Sequence, residues 1–167
     1  HHSALVDGAG ALWTWGWTEH GRLGRDSVEE DEDDGRVAGT PGIASLPGGG
    51  ECVDVSCGAA HTIVVDTNGF VSGCGWNEWG QAIGRMNCNS VWHLTPVRFK
   101  APFSAIKVAC GLGHSIAVDS NGNAKSWGFG EDGQLGFGRE AEKSAPVDID
   151  LSKAGLRNGP ACIASIA

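Results

Sequence analysis

The sequence predicts an all-β protein of β-propeller blades, each of four antiparallel strands, with three blades and an incomplete ring. Two observations carry this expectation. First, one phrase recurs in register: His2, His61 and His114 are each followed five residues later by Asp7, Asp66 and Asp119, and eight residues later by Gly10, Gly69 and Gly122. A long tandem repeat marks a propeller or a solenoid, and solenoid rungs are usually shorter. Second, short β-prone runs alternate with glycine turns, and no window holds a sustained helical apolar stripe.

The elements follow in order within each copy. Residues 62–65 and 115–118 are β-prone first arms, and residues 11–15, 70–74 and 124–127 are the second arms. Between them Asn68-Gly69 and Asn121-Gly122 predict tight primed turns, with Ala9-Gly10 a poorer version. Gly16, Gly75 and Gly128 close the second arm, then come an acid (Glu19, Glu78, Glu131) and further glycines (Gly21, Gly80, Gly133). A terminal glycine stands at Gly24, Gly84 and Gly136, with one extra residue in the middle copy. Pro41, Pro96 and Pro146 precede apolar segments, and Val53-Asp-Val55-Ser-Cys57-Gly58 matches Ile106-Lys-Val108-Ala-Cys110-Gly111. The repeats are placed at approximately 2–60, 61–113 and 114–167, with an acidic loop insertion at 28–35, and residues 151–156 make at most a turn of helix.

The copies also disagree. Cys74 stands where the others have Trp15 and Trp127, and Ala82-Ile83 replaces the single Leu23 or Leu135, so the middle blade should have an altered core and turn. Closed propellers need about four to eight blades, so the remaining blades are expected in the same or another chain.

Composition narrows the function. Seven Trp and 27 Gly with no Tyr fit blade cores separated by turns, and a net charge of −8 argues against direct nucleic-acid binding. The acidic run 29–34 reads as a solvated loop tip. The six cysteines form no CxxC pair, and Cys57 and Cys110 share one motif position; they read as reduced, buried structural thiols of an intracellular protein, in cytoplasm or nucleus. Cys52-x4-Cys57 alone does not make a metal site. No apolar stretch approaches 18 residues, so no membrane partner is expected.

Several motifs suggest chemistry and yield to the repeat. Gly128-Phe-Gly130-Glu-Asp-Gly133 matches a dinucleotide fingerprint, but Thr18 and Asn77 replace its middle glycine in the other copies and no helix follows. Asp66-Thr-Asn-Gly69 and Asp119-Ser-Asn-Gly122 look like openings of calcium loops, yet Asn77 and Gly130 stand where the bidentate Glu is required. Three equivalent histidines on three blades cannot converge on one substrate, and each is expected to bond backbone within its own blade. The recurrent acids are expected to close their turns by accepting backbone N–H bonds, with a surface role as the alternative. No catalytic, cofactor-binding or metal-binding residue is assigned. Trp17, Trp76 and Phe129 follow each second arm and suit inter-blade packing, whereas His20, Trp79 and Asp132 differ among copies and are the partner-binding candidates.

Gly111-Leu-Gly-His114-Ser and Trp127-Gly-Phe-Gly-Glu-Asp-Gly-Gln-Leu-Gly136 resemble the regulator-of-chromosome-condensation (RCC1) repeat, and the resemblance covers essentially the whole chain. The repeat and the absence of a unique chemical constellation lead to the expectation of a non-catalytic scaffold that binds a protein partner through face loops, and the resemblance implies part of a seven-bladed ring. The alternative it implies is a guanine-nucleotide exchange factor for a Ran-type small GTPase, although exchange residues lie outside the repeat consensus and none is carried over. Light-sensing members resemble Gly-Trp-Arg-His where this chain has Gly58-Ala-Ala-His61 and Gly111-Leu-Gly-His114, so the chromophoric tryptophan is missing there.

Overall fold

The computed structural model describes residues 1–26, 37–137 and 143–150. The insertion at 28–35 and the segment 151–156 lie outside them. The first sheet joins β1 (His2–Val6), β2 (Leu12–Trp17) and β3 (Val37–Ala44). The second runs β4 (Cys52–Cys57), β5 (His61–Asp66), β6 (Val71–Trp76) and β7 (Ser90–Pro96) in that order. The third runs β8 (Ala105–Cys110), β9 (His114–Asp119), β10 (Ala124–Gly128) and β11 (Lys143–Asp148). All pairings are antiparallel meanders, as in propeller blades. Among the described residues the first blade shows three strands rather than the expected four; they correspond to β5–β7 and β9–β11.

The turns differ from the primed type. Among the described residues only His20 combines a side chain with positive φ, so Asn68 and Asn121 do not adopt the conformation a primed turn needs. Each Asp instead organises a longer loop: Asp66 Oδ1 accepts N–H bonds from Asn68 and Phe70, and Asp119 Oδ1 accepts them from Asn121 and Asn123. Gly69 and Gly122 follow at φ +79° and +81°, the pattern of a turn closed by a left-handed glycine. The first copy is equivalent, with Asp7 Oδ1 bonded to Ala9 and Ala11 N–H and Gly10 at φ +77°. The repeated Asp is therefore a turn-former.

Alternation along each strand sends one set of side chains toward each neighbouring blade. Leu12, Ala44, Leu46, Cys52, Val64, Cys74 and Leu94 form the core between the first and second blades. Ile63, Val65, Val71, Val97, Ala105, Val108, Ala117 and Trp127 form the core between the second and third. The inner strands are also bridged by side chains, since Asp54 Oδ2 and Ser56 Oγ accept the N–H groups of Val108 and Cys110.

The middle blade is altered as its sequence implied. Thr14 and Ser126 each donate a hydroxyl to the carbonyl of Leu23 and Leu135. The corresponding residue is Gly73, because a Cβ there would lie 1.9 Å from the Ala82 carbonyl oxygen. The extra residue of Ala82-Ile83 pushes the loop into the space that the hydroxyl occupies elsewhere.

Candidate functional site

The loops that leave the second arms bring aromatics together in one row. The Trp76 and Trp79 rings meet edge-on with centroids 4.4 Å apart, and Trp79 packs on Phe129 of the third blade at 4.7 Å. His20 of the first blade stacks over Trp76 at 6.3 Å, and its Nδ1 is 2.9 Å from Ser90 Oγ. All four side chains are half-buried, so the row spans three blades with one edge open to solvent. Gly113 makes room for it, since a Cβ there would fall 2.9 Å from the Trp79 ring. Trp17, 38 % exposed, instead holds the buried Arg22 guanidinium 5.3 Å from its ring centroid.

The three candidates thus occupy different settings. His20 and Trp79 belong to the row, and Trp79 also packs between blades, a role expected only of its neighbours. Asp132 is exposed and outside the ring contacts, and its N–H donates to Gln134 Oε1. The position shared by these three is the variable one in the repeat; in the first blade it takes φ +64°, a left-handed conformation for His20.

The recurrent acids do not close these turns. Glu19, Glu78 and Glu131 are exposed, whereas Gln81 Oε1 and Gln134 Oε1 accept the N–H of Trp79 and Asp132. In the first copy the Gln is Arg22, whose Nε donates to the Glu19 carbonyl while its Nη2 lies 3.8 Å from the Glu19 carboxylate. The acids are left exposed, each one to three residues along the chain from an aromatic of the row.

His2 and His61 are structural, but their bonds cross between blades rather than staying within one. His2 Nε2 is 2.7 Å from Thr62 Oγ1, and His61 Nε2 is 3.0 Å from Ser115 Oγ. Those hydroxyls donate to the carbonyls of Arg22 and Gln81, so each can only accept from the imidazole, which must carry its proton on Nε2. Burial holds both rings neutral, with the pKa lowered to about 3 for His61 and about 4 for His2. Gly58 and Gly111 make room for the His61 and His114 rings: a Cβ would lie 2.2 and 2.0 Å from their Cε1 atoms. The Gln81 carbonyl also accepts the Trp127 indole N–H, and Cys74 Sγ makes the corresponding contact to the Arg22 carbonyl.

Cys52, Cys57, Cys74 and Cys110 are held as thiols by burial. Burial pushes the thiol of Cys52 up to about 11 and that of Cys110 up to about 12, and raises Cys74 further. Cys57 and Cys110 are half-buried rather than fully buried. Among the described residues no group of three or more His, Cys, Asp or Glu could share a metal ion, and no helix is long and apolar enough to cross a membrane.

Repeated antiparallel meanders joined by a histidine-to-hydroxyl bond define the blades of a β-propeller module. The chain belongs to the regulator of chromosome condensation (RCC1) repeat family: its repeat model matches residues 9–65 and 121–165, and a second model of the same repeat matches 105–134. The chain is 31 % identical to the ultraviolet-B receptor UVR8 of Arabidopsis thaliana, over 89 % of its own length and 32 % of the relative's. It is 33 % identical to the E3 ubiquitin-protein ligase HERC2 of Mus musculus, over 87 % of this chain and 3 % of that one. Among solved structures it is similar to Prp20p of Saccharomyces cerevisiae, with a TM-score of 0.74 and 26 % identity over 89 % of this chain and 36 % of that one. Human WBSCR16 shares the fold, with a TM-score of 0.78 at 20 % identity. The chain therefore spans about a third or less of the relatives it matches.

Proposed function

We propose that this chain is part of a non-catalytic RCC1-like propeller scaffold that binds a protein partner through its face loops, with His20, Trp79 and Asp132 at the contact. The observation that carries this reading is the half-open row of His20, Trp76, Trp79 and Phe129, set on rigid blades and flanked by exposed Glu19, Glu78, Glu131 and Asp132. Aromatics held by a scaffold contribute contact area at small entropic cost, and such residues dominate interfaces. The reading places the protein inside the cell, and one similar relative is the RCC1 domain-containing protein RUG3, mitochondrial, of Arabidopsis thaliana. Alanine at His20, Trp79 and Asp132 should weaken partner capture by the intact protein at least ten-fold.

A second reading, guanine-nucleotide exchange on a Ran-type small GTPase, is favoured by the likeness to Prp20p, whose structure is described together with its binding to Gsp1p and histones. Such exchange acts through protein contacts and needs no covalent step from the propeller. Mixing the intact protein with a GTPase carrying a fluorescent nucleotide decides it: faster release at micromolar protein supports exchange, and an unchanged rate excludes it.

A further inference from the structure

A cavity of about 300 Å³ lies at the join of the first and second blades, lined by Leu46, Pro47, Phe70, Val97, Asp66 and Ser72 among others. Its size is at the small end of ligand pockets, which run roughly 300–1,000 Å³. The cavity exists because the middle repeat lacks what fills this register elsewhere. Six residues after the turn aspartate stand Trp13, Ser72 and Lys125. In the first blade Trp13 Nε1 donates to Asp7 Oδ2 at 2.8 Å. In the third, Lys125 pairs with Asp148 and lies 5.3 Å from the centroid of the Phe103 ring, while Asn123 Nδ2 donates to Asp119 Oδ2 at 2.7 Å.

The middle repeat replaces all three fillers: Ser72 stands for Lys125, Phe70 for Asn123, and Gly50 for Phe103. Asp66 is only 7 % exposed, and its Oδ1 takes the two turn N–H bonds. Its Oδ2 meets no hydrogen-bond partner among the described residues, although it borders a largely apolar cavity. A carboxylate oxygen at the edge of an apolar cavity favours a cationic donor, because a ligand that covers it must replace the water it now meets.

We propose that this cavity binds a protonated primary amine carried on a short apolar body. The ammonium donates to Asp66 Oδ2 and Ser72 Oγ, and the alkyl chain lies against Leu46, Pro47 and Val97, with the 68 % exposed Phe70 at the rim. In the third repeat the residue at the Ser72 register, Lys125, carries an ammonium, which pairs there with Asp148 rather than with the turn aspartate. A free amine and a lysine side chain of a partner share this chemistry.

The test is a titration of the isotope-labelled chain, followed by amide NMR, with n-hexylammonium, n-hexanol and the peptide acetyl-Gly-Lys-Gly-amide. Hexylammonium should give saturable shifts at Leu46, Phe70 and Val97, with affinity at least ten-fold above that of hexanol. Asp66→Asn keeps an oxygen for the turn and should reduce the amine to the level of the alcohol. Ser72→Lys fills the cavity as the third repeat does and should abolish binding with the β-sheet circular dichroism unchanged; it carries the test if Asp66→Asn fails to fold. Saturation by the peptide assigns the site to a partner's lysine, and saturation by the amine alone assigns it to a free amine; both support the proposal. Equal affinity for amine and alcohol, undiminished binding to Ser72→Lys, or no saturable shift in the folded wild type overturns it.

Discussion

The residues with the clearest physical roles are the ones the repeat removes from suspicion of catalysis. His61 is fully buried, bonded to Ser115, and neutral down to about pH 3. In the unfolded chain an imidazole takes a proton near pH 6.5, so below that value protons favour unfolding. The stability that depends on the neutral ring is therefore whole above about pH 7 and lost as the pH falls toward the folded-state values of about 3 and 4. The expected slope for His61 is up to ~1.4 kcal/mol per pH unit, and smaller for the more solvent-accessible His2. Urea midpoints measured from pH 7 to 4.5 should fall steeply in the wild type and less steeply in His61→Gln; equal slopes would contradict the assignment. Recurrence alone marked these histidines as structural. Their bonding partner could not be read, because the bond joins residues 54 to 60 positions apart in neighbouring blades.

At the scale of the element, the middle blade shows how one insertion is absorbed. The extra residue of Ala82-Ile83 is visible when the copies are aligned, but its consequence falls on Gly73, in the strand that precedes the loop. Gly73→Ser would restore the hydroxyl of the other blades and drive its Cβ against the Ala82 carbonyl, for an expected loss of about 2–3 kcal/mol. Deleting Ala82 in the same chain should recover most of that loss, and the two changes should be strongly non-additive in a denaturation double-mutant cycle. Additive effects would mean that loop and strand are independent. The hairpin turns make a related point: Asn-Gly next to a strand suggested a primed turn, whereas the Asp two residues earlier, by accepting two backbone N–H bonds, selects the longer loop. Local dipeptides mislead where a side chain outside them caps the backbone.

For the whole molecule, three blades with alternating interfaces were legible because strand period, glycine spacing and repeat length agree. The face was less legible. His20 and Trp79 were selected by variation between copies, yet their association with Trp76 and Phe129 depends on how the blades stack, which no single copy contains. The exposed glutamates emerged only because Gln81 and Gln134 take over the turn bonds. The half-buried aromatic row, with exposed acids next to it in sequence, is what carries the proposed partner contact. Its most direct test is quantitative partner capture by the intact protein, comparing wild type with His20→Ala, Trp79→Ala and Asp132→Ala, each matched for folded fraction by its urea midpoint. Capture of a specific partner should drop at least ten-fold in Trp79→Ala and fall further when the three changes are combined. Undiminished capture by a folded triple variant would contradict it.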